Sequence, residues 1–384
     1  MSVAYYHGLL IQRTRIEAFR DAIRAVVRPG DHVVDVGAGL GTFAFFAADA
    51  GAARVTAVEG QPVAALATAL AAANDYTDRV RVVRGWLPEA DLPAAADVIL
   101  FEDFPPRLLD ERTFGLMDAM LSTHAADGVR TIPRAARMFM APVAAAVVRP
   151  LVTWGVRDGD AYGLDWRVAE PYLENTPHVT ALGAEAIVAE PIGGDTLSLA
   201  EPPSLGPLSL EGEWVFDRDV TVGGLAYWFD LELVPEVTLS NAPGAFPASW
   251  GTIVLPLAPA LVVGAGARVR ATVRPDRMAD GRPGWLTWGA TTEGELRRGH
   301  ELAAEPASWS DLLCASPDGI PRLTAAGRFG ADVLQLVDDR RTVAQIAAAL
   351  RAAYPGGSEA HLLRRVVAAL HGRVATRAAG EVIR

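Results

Sequence analysis

The chain has 384 residues, 51% of them hydrophobic, and its 35 basic and 46 acidic side chains leave a formal charge of −11. That length suits two or three domains with full cores, and neither a bilayer-spanning apolar run nor a signal peptide is present, so a soluble, cytoplasmic protein with no membrane association is expected. The acidic balance argues against a nucleic-acid partner; the single cysteine, Cys314, excludes an intrachain disulfide framework, and seven scattered histidines lack ligand spacing, so no metal is expected.

From Ala4 to Val27 the spacing is helical, with Leu9, Leu10, Ile16, Phe19, Ile23 and Val27 apolar, and Pro29-Gly30-Asp31 ends the helix. Val33 to Val36 is apolar and β-branched enough for a buried strand. Gly37, Gly39 and Gly41 then allow a sharp turn with no Cβ in the way of a ligand. A helix over Thr42–Ala50 and a strand over Ala52–Val58 follow, with Glu59 at the strand's carboxyl end, where it can accept hydrogen bonds from ribose hydroxyls. Asp35 on the strand just before a G-x-G-x-G turn favours S-adenosylmethionine (SAM) over a dinucleotide. Strands at Val80–Val83 and Val98–Phe101, among alanine-rich helices, continue an open α/β sheet to about residue 140.

Beyond residue 141 the texture changes to short runs separated by Gly, Pro and Asp. These runs (VAAAVVRPLV, EWVFDRDVTV, AYWFDLELV, GTIVLPL and ARVRATV) predict an antiparallel sandwich or barrel. From Ala303 helices return, over Leu323–Val337, Thr342–Tyr354 and Ala360–His371. The expected architecture is therefore α/β: a Rossmann-like SAM domain (1–140), an antiparallel β-barrel domain (141–302) and a small, mainly helical, winged-helix-like domain (303–384).

Several segments in this order resemble the protein arginine methyltransferase family, a branch of the class I SAM-dependent methyltransferases, over roughly residues 5–300. LLIQRTRIEAFRDAI (Leu9–Ile23) is similar to the family's cofactor-capping helix, DVGAGLG (Asp35–Gly41) with Glu59 to its cofactor turn and ribose acid, and RGWLPEA (Arg84–Ala90) to the segment along the adenine. FEDFPPRLLDER (Phe101–Arg112) resembles its two-glutamate loop, TIPRAARMFMAPV (Thr131–Val143) its exit into the barrel, and FPASWGTIVLPL (Phe246–Leu257) the segment carrying a Thr-His-Trp motif. The resemblance implies catalytic roles for Glu102 and Glu111. It implies cofactor contacts for Arg15, Asp35, Gly37, Gly39, Gly41, Glu59, Trp86 and Leu87, and substrate contacts for Tyr6 and Trp250. Taken alone, Glu102 and Glu111 read first as solvated loop carboxylates and Arg15 as a surface-helix arginine, while Trp86 and Trp250 read equally as core.

The chemistry explains the demand for such residues. Methyl transfer from a sulfonium mainly requires positioning and exclusion of water. A planar cationic guanidinium is well held by two carboxylates through charge-assisted hydrogen bonds. Three departures stand out: Ala248-Ser249-Trp250 replaces Thr-His-Trp, Gln12 replaces the acid that partners that histidine, and Pro105-Pro106 stiffens the loop between the glutamates.

Arg322–Gly356, with its LTxxG start and R-T-V-xx-I-A run, resembles the small peptide-binding domains of the pyrroloquinoline-quinone peptide-chaperone type, which recognise leader peptides of ribosomally made, modified peptides. The alternative is a helical cap packed on the barrel. The expected function is SAM-dependent N-methylation of a peptide or protein nitrogen, releasing S-adenosylhomocysteine, with a leader peptide held by residues 303–384. Small-molecule amine methylation and a catalytically silent peptide-binding scaffold are the alternatives. Ala161–Arg167, within an interruption over Thr153–Pro171, resembles the family's dimerisation arm and implies a head-to-tail homodimer that buries Tyr162, Leu164 or Trp166.

Overall fold

The computed structural model describes residues 2–87, 90, 92–153, 164–245, 250–306, 320, 322–355 and 358–370. The chain divides into two compact units, residues 1–306 and 307–384.

The first unit opens with α1 (Val3–Leu10) and α2 (Arg13–Val26), two helices where the apolar spacing predicted one. The break lies at Gln12, whose ψ of 76° leaves the helical region. It turns Arg15 inward, so that its guanidinium donates to the Leu9 carbonyl at 3.0 Å. Helix α2 buries Phe19, Ala22 and Ile23, the stripe that the periodicity indicated.

Next come β1 (His32–Val36), α3 (Thr42–Asp49), β2 (Arg54–Glu59), α4 (Ala64–Ala73), β3 (Val80–Arg84), β4 (Ala96–Phe101), α5 (Glu111–Thr123) and β5 (Ala125–Ile132). The strands form a five-stranded sheet in the order β3-β2-β1-β4-β5, with every neighbouring pair parallel. Every residue of β1 is buried, as a central strand covered on both faces requires. The chain leaves β1 toward β2 on one side and returns to β4 on the other. The carboxyl ends of β1 and β4 therefore flank the switch point where open α/β sheets bind ligands.

Residues 133–306 are mainly antiparallel, built from β6 (Ala135–Ala144), β7 (His178–Thr180), β8 (Ile192–Ser198), β9 (Leu210–Val215), β10 (Val220–Val234), β11 (Val237–Ser240), β12 (Thr252–Val263), β13 (Arg268–Arg277), β14 (Pro283–Thr292) and β15 (Glu295–His300). One sheet runs β7-β12-β10-β6-β8, with β11 on β10; the other runs β15-β14-β13-β9. Their inward faces share a core that includes Tyr227, Phe229, Leu255, Val273 and Trp288.

One expected strand is a helix. VAAAVVRPLV stays extended only to Ala144, and Ala145–Val152 forms α6. Alanine is the best helix former, and α6 finds a seat on β10 at Gly223, where a Cβ would stand 2.5 Å from the Ala145 Cα. EWVFDRDVTV, predicted as one run, divides: Glu213–Val215 end β9 and Val220–Val222 open β10, which continues through AYWFDLELV with a register shift between Val222 and Gly224.

The second unit contains three described helices, Ala325–Gln335, Val343–Leu350 and Glu359–Leu370, around Phe329, Val333, Ile346, Leu350, Leu362 and Val366. Thr342 and Gln345 form a capping box that starts the middle helix. That helix ends at Leu350, four residues before Tyr354, its predicted end; the chain continues as a turn through Ala353, and Tyr354, preceding proline, is steered away from helical backbone. Among the described residues, no helix is long and apolar enough to cross a membrane.

Candidate active site

A cavity of about 800 Å³ opens at the carboxyl edge of the parallel sheet, beside β1, β2 and β4. Its lining includes Tyr6, Gly37, Glu59, Trp86, Leu87, Glu102, Glu111 and Trp250, all named by the sequence reading. A smaller space of about 70 Å³ borders the glycine turn and is lined by Tyr6, Arg15, Asp35, Gly37, Gly39 and Glu102, among others.

The turn is built as its glycines demand. Gly37, Gly39 and Gly41 have φ of 70°, 55° and 81°, the left-handed region that other residues enter at a cost. Gly39 also admits the N-terminal helix, since a Cβ there would stand 3.1 Å from the Tyr6 ring. Gly41 lines neither space; it caps α3. Glu59 is buried, and its two carboxylate oxygens accept from the backbone N–H groups of Gly39 (2.9 Å) and Gln61 (2.6 Å). The acid at the end of β2 thus fastens the turn while facing the cavity.

Trp86 lies over Gly60, where a Cβ would meet its ring at 2.4 Å, and half of its surface remains exposed. The Arg112 guanidinium lies over the indole, 5.5 Å from its ring centroid. Trp250 is both packed and cavity-lining, meeting Phe229 edge-to-face at 5.5 Å. Phe246 to Ser249, the rest of the altered Thr-His-Trp segment, lie outside the described residues, as do Pro88, Glu89 and Tyr162.

Glu102 follows β4 directly, and Glu111 opens α5; they do not share a helix. Glu102 pairs with the buried Arg15 at 2.5 Å. Burial pushes the Glu102 carboxyl up to about 7, against the opposing pull of Arg15. Glu111 is exposed and its side chain has no partner among the described residues. Burial likewise raises Asp35 to about 7. Between the glutamates the chain folds tightly, with Leu108 buried at a φ of 68°, an unusual strain for a branched residue. Asp110 caps α5 by accepting from the Thr113 N–H at 2.7 Å, which places Glu111 in the favourable first turn.

Whether these residues fit a SAM-like ligand can be judged from the buried polar atoms. Tyr6 Oη, Arg15 Nε and Asp35 Oδ2 are buried without hydrogen-bond partners among the described residues, and all three residues border the space at the glycine turn. Orphaned donors and acceptors of this kind suit a polar, zwitterionic ligand end. Among the described residues, no group of three or more His, Cys, Asp or Glu is arranged to hold a metal.

The sequence reading missed Asn241. It is buried, and its Oδ1 accepts from the Phe229 N–H at 2.8 Å. Its Nδ2 donates to the carbonyls of Pro106 (3.2 Å) and Gly251 (2.9 Å). One side chain therefore ties the loop between the glutamates to the residue after Trp250. Arg107, paired with Glu301 at 2.8 Å, makes a second tie from the loop to the barrel.

Comparison with known proteins decides the family. Protein arginine N-methyltransferase PRMT10 of Oryza sativa subsp. japonica is 30% identical over 309 residues, covering 70% of this chain and 80% of that protein. The chain belongs to the protein arginine N-methyltransferase family. A probable protein arginine N-methyltransferase 6 of Arabidopsis thaliana is 27% identical over 268 residues, which is 64% of this chain but only 58% of that relative. In fold, this family member is similar to the Trypanosoma brucei PRMT1 enzyme-prozyme heterotetrameric complex with AdoHcy (TM-score 0.66, 22% identity, 78% of this chain and 98% of that one). Arabidopsis thaliana protein arginine methyltransferase 10 gives a TM-score of 0.64 at 21% identity, again over 78% and 98%. Residues 325–374 match a second family, Coenzyme PQQ synthesis protein D (PqqD).

Proposed function

We propose that this chain is a SAM-dependent N-methyltransferase acting on a peptide or protein nitrogen, an arginine guanidinium or a peptide amine, in modification of a ribosomally made peptide. In this reading residues 1–140 hold the cofactor, 141–302 shape the acceptor site, and 303–384 capture a leader peptide. The observation that carries it is the convergence of Glu102 and Glu111 on one cavity with Glu59 and the glycine turn.

Tyr6, Arg15, Asp35, the glycine turn and Glu59 would hold the cofactor, with Trp86 and Leu87 against its base. When bound, SAM supplies a methyl group on a sulfonium sulfur. Glu111 holds the acceptor cation from the open side and Glu102 from the buried side, excluding water and aligning one nitrogen. So held, that nitrogen would present its lone pair to the methyl group that SAM would supply, and the proton it sheds would leave through a carboxylate to water. The match to PqqD supports a peptide acceptor over a free amine.

The test is labelled methyl transfer to a precursor peptide encoded beside the gene, with Glu102→Gln, Glu111→Gln and the double variant. A neutral residue leaves the acceptor cation incompletely paired in a partly dry site. Each single variant should lose about a hundredfold in turnover, and the double little more, because the pair acts as a unit. Near wild-type rates in both single variants reduce the pair to loop carboxylates, and transfer to free amines alone points to a small-molecule enzyme. SAM binding without transfer to any acceptor points to a silent scaffold.

A further inference from the structure

The charges around the large cavity are unequally committed. Glu59 is engaged by two backbone N–H groups, and Glu102 by Arg15. Asp103 and Arg112 face each other at 3.4 Å. That leaves Glu111, with no partner among the described residues, and Arg282, which reaches the cavity from the turn between β13 and β14. Among the described residues its one ion pair is with Asp280 on the same turn, at 3.4 Å and about half exposed on both sides. Such a pair is worth little and yields readily to a better partner.

The position of Arg282 depends on a glycine. Gly115 stands one helical turn after Glu111 on α5, hence on the same face, about 6 Å further along the axis. A Cβ there would lie 2.7 Å from the Arg282 Cζ. The missing side chain lets a guanidinium from the barrel lie against the helix beside the acceptor carboxylate. An anion with no partner among the described residues and a displaceable cation therefore line the same part of the cavity. A purely cationic acceptor satisfies the first and is repelled by the second.

We infer that the acceptor is zwitterionic: it carries a carboxylate within about one helical turn's length of its methylated nitrogen, and Arg282 receives that carboxylate while Glu111 holds the cation. This rests on the N-methyl-transfer reading and narrows its substrate class. The carboxylate belongs either to an acidic side chain next to the acceptor residue or to a peptide C-terminus. Arginine suits the role because its fork meets both carboxylate oxygens.

The experiment uses the full chain loaded with S-adenosylhomocysteine and three synthetic peptides: acetyl-Gly-Arg-Glu-amide, acetyl-Gly-Arg-Gln-amide, and acetyl-Gly-Arg-Gln with a free C-terminus. Calorimetry measures binding, and the same peptides are offered with labelled SAM. At least one carboxylate peptide should bind about tenfold tighter than the neutral amide, and which one does so identifies the source of the carboxylate. Arg282→Gln should remove the difference and Arg282→Lys should retain part of it. S-adenosylhomocysteine affinity, measured on each variant, checks that the cofactor half is folded. Equal affinity for all three peptides, no binding of any of them, or a preference that survives in Arg282→Gln overturns the inference. A binding preference that depends on Arg282 without label transfer counts against the methyl-transfer reading alone.

Discussion

Glu102 gives the proposed reaction a pH dependence that can be worked out beforehand. Its carboxyl is raised from 4.5 to about 7, by burial first, with Arg15 opposing. If the charged form must meet the acceptor cation, about one-tenth of the free enzyme is competent at pH 6 and about nine-tenths at pH 8. At saturating SAM, kcat/KM for the peptide reports the enzyme before the acceptor binds, so it should fall about tenfold from pH 8 to pH 6 along a single-proton limb centred near 7. A guanidinium acceptor stays protonated throughout this window and contributes nothing. Bound acceptor places an opposite charge beside Glu102, so the limb in kcat should lie lower than that in kcat/KM. The linked stability effect has the opposite sense. Because the folded value exceeds the unfolded one, the native chain holds this proton more tightly; the contribution is fully present below about pH 4.5 and is lost as pH rises through about 7. The assay is initial-rate label transfer at saturating SAM, with SAM affinity measured across the same range because Asp35 is also raised to about 7. A flat kcat/KM between pH 6 and 8 in the wild type, or an unchanged limb in Glu102→Gln, would refute the assignment.

Three further outcomes are expected. Glu59→Ala should weaken SAM binding at least tenfold, about 1.4 kcal/mol, since it removes both the proposed ribose acceptor and the tie to Gly39; unchanged calorimetric affinity removes Glu59 from the site. Asn241→Ala leaves the Phe229 N–H and two carbonyls without this partner, so stability should drop by about 2–4 kcal/mol and transfer to peptide should suffer more than SAM affinity; equal losses would make Asn241 a packing residue only. Leu164 is 57% exposed on the segment resembling a dimerisation arm, and burial of that arm on a second copy predicts a dimer mass by light scattering, which a monomer at micromolar concentration would contradict.

The glycine turn, the acid after β2 and the central strands were legible because the chemistry and the backbone geometry both lie within one stretch of chain. Local signals failed where a distant neighbour decides. The alanine run at 144–146 sits between Val143 and Val147-Val148, and nothing local says that a glycine in β10, nearly eighty residues later, offers a helix its seat. Asn241 is separated from Pro106 by 135 residues, and an asparagine in the run Ser240-Asn241-Ala242-Pro243-Gly244 reads as a turn. Arg282, in an exposed hairpin of Asp, Gly and Pro, gives no hint that a glycine on α5 receives it. Charges at a site become interpretable only once their partners are known. Sequence could therefore name Glu111 but could not say that, among the described residues, it alone of the cavity carboxylates is uncommitted.

The Arg15–Glu102 pair joins two roles that the sequence kept apart, the first a cofactor contact and the second an acceptor contact. The joining has a consequence in the sign of one shift. Arg15 lowers the Glu102 pKa both by its charge and by its hydrogen bond, while burial raises it. Arg15→Ala removes the lowering influences and leaves the burial, so Glu102 should titrate above its present value of about 7. The limb in kcat/KM should then move toward alkaline pH, and restoring rate by raising the pH should be partly possible even where SAM binding is weakened. A residue that only grips the cofactor predicts something else: a higher SAM requirement with the limb unmoved. Measuring the pH profile of Arg15→Ala at saturating SAM separates the two. A limb that stays near pH 7 would mean that the ion pair at 2.5 Å does not govern the protonation of Glu102 in the working enzyme.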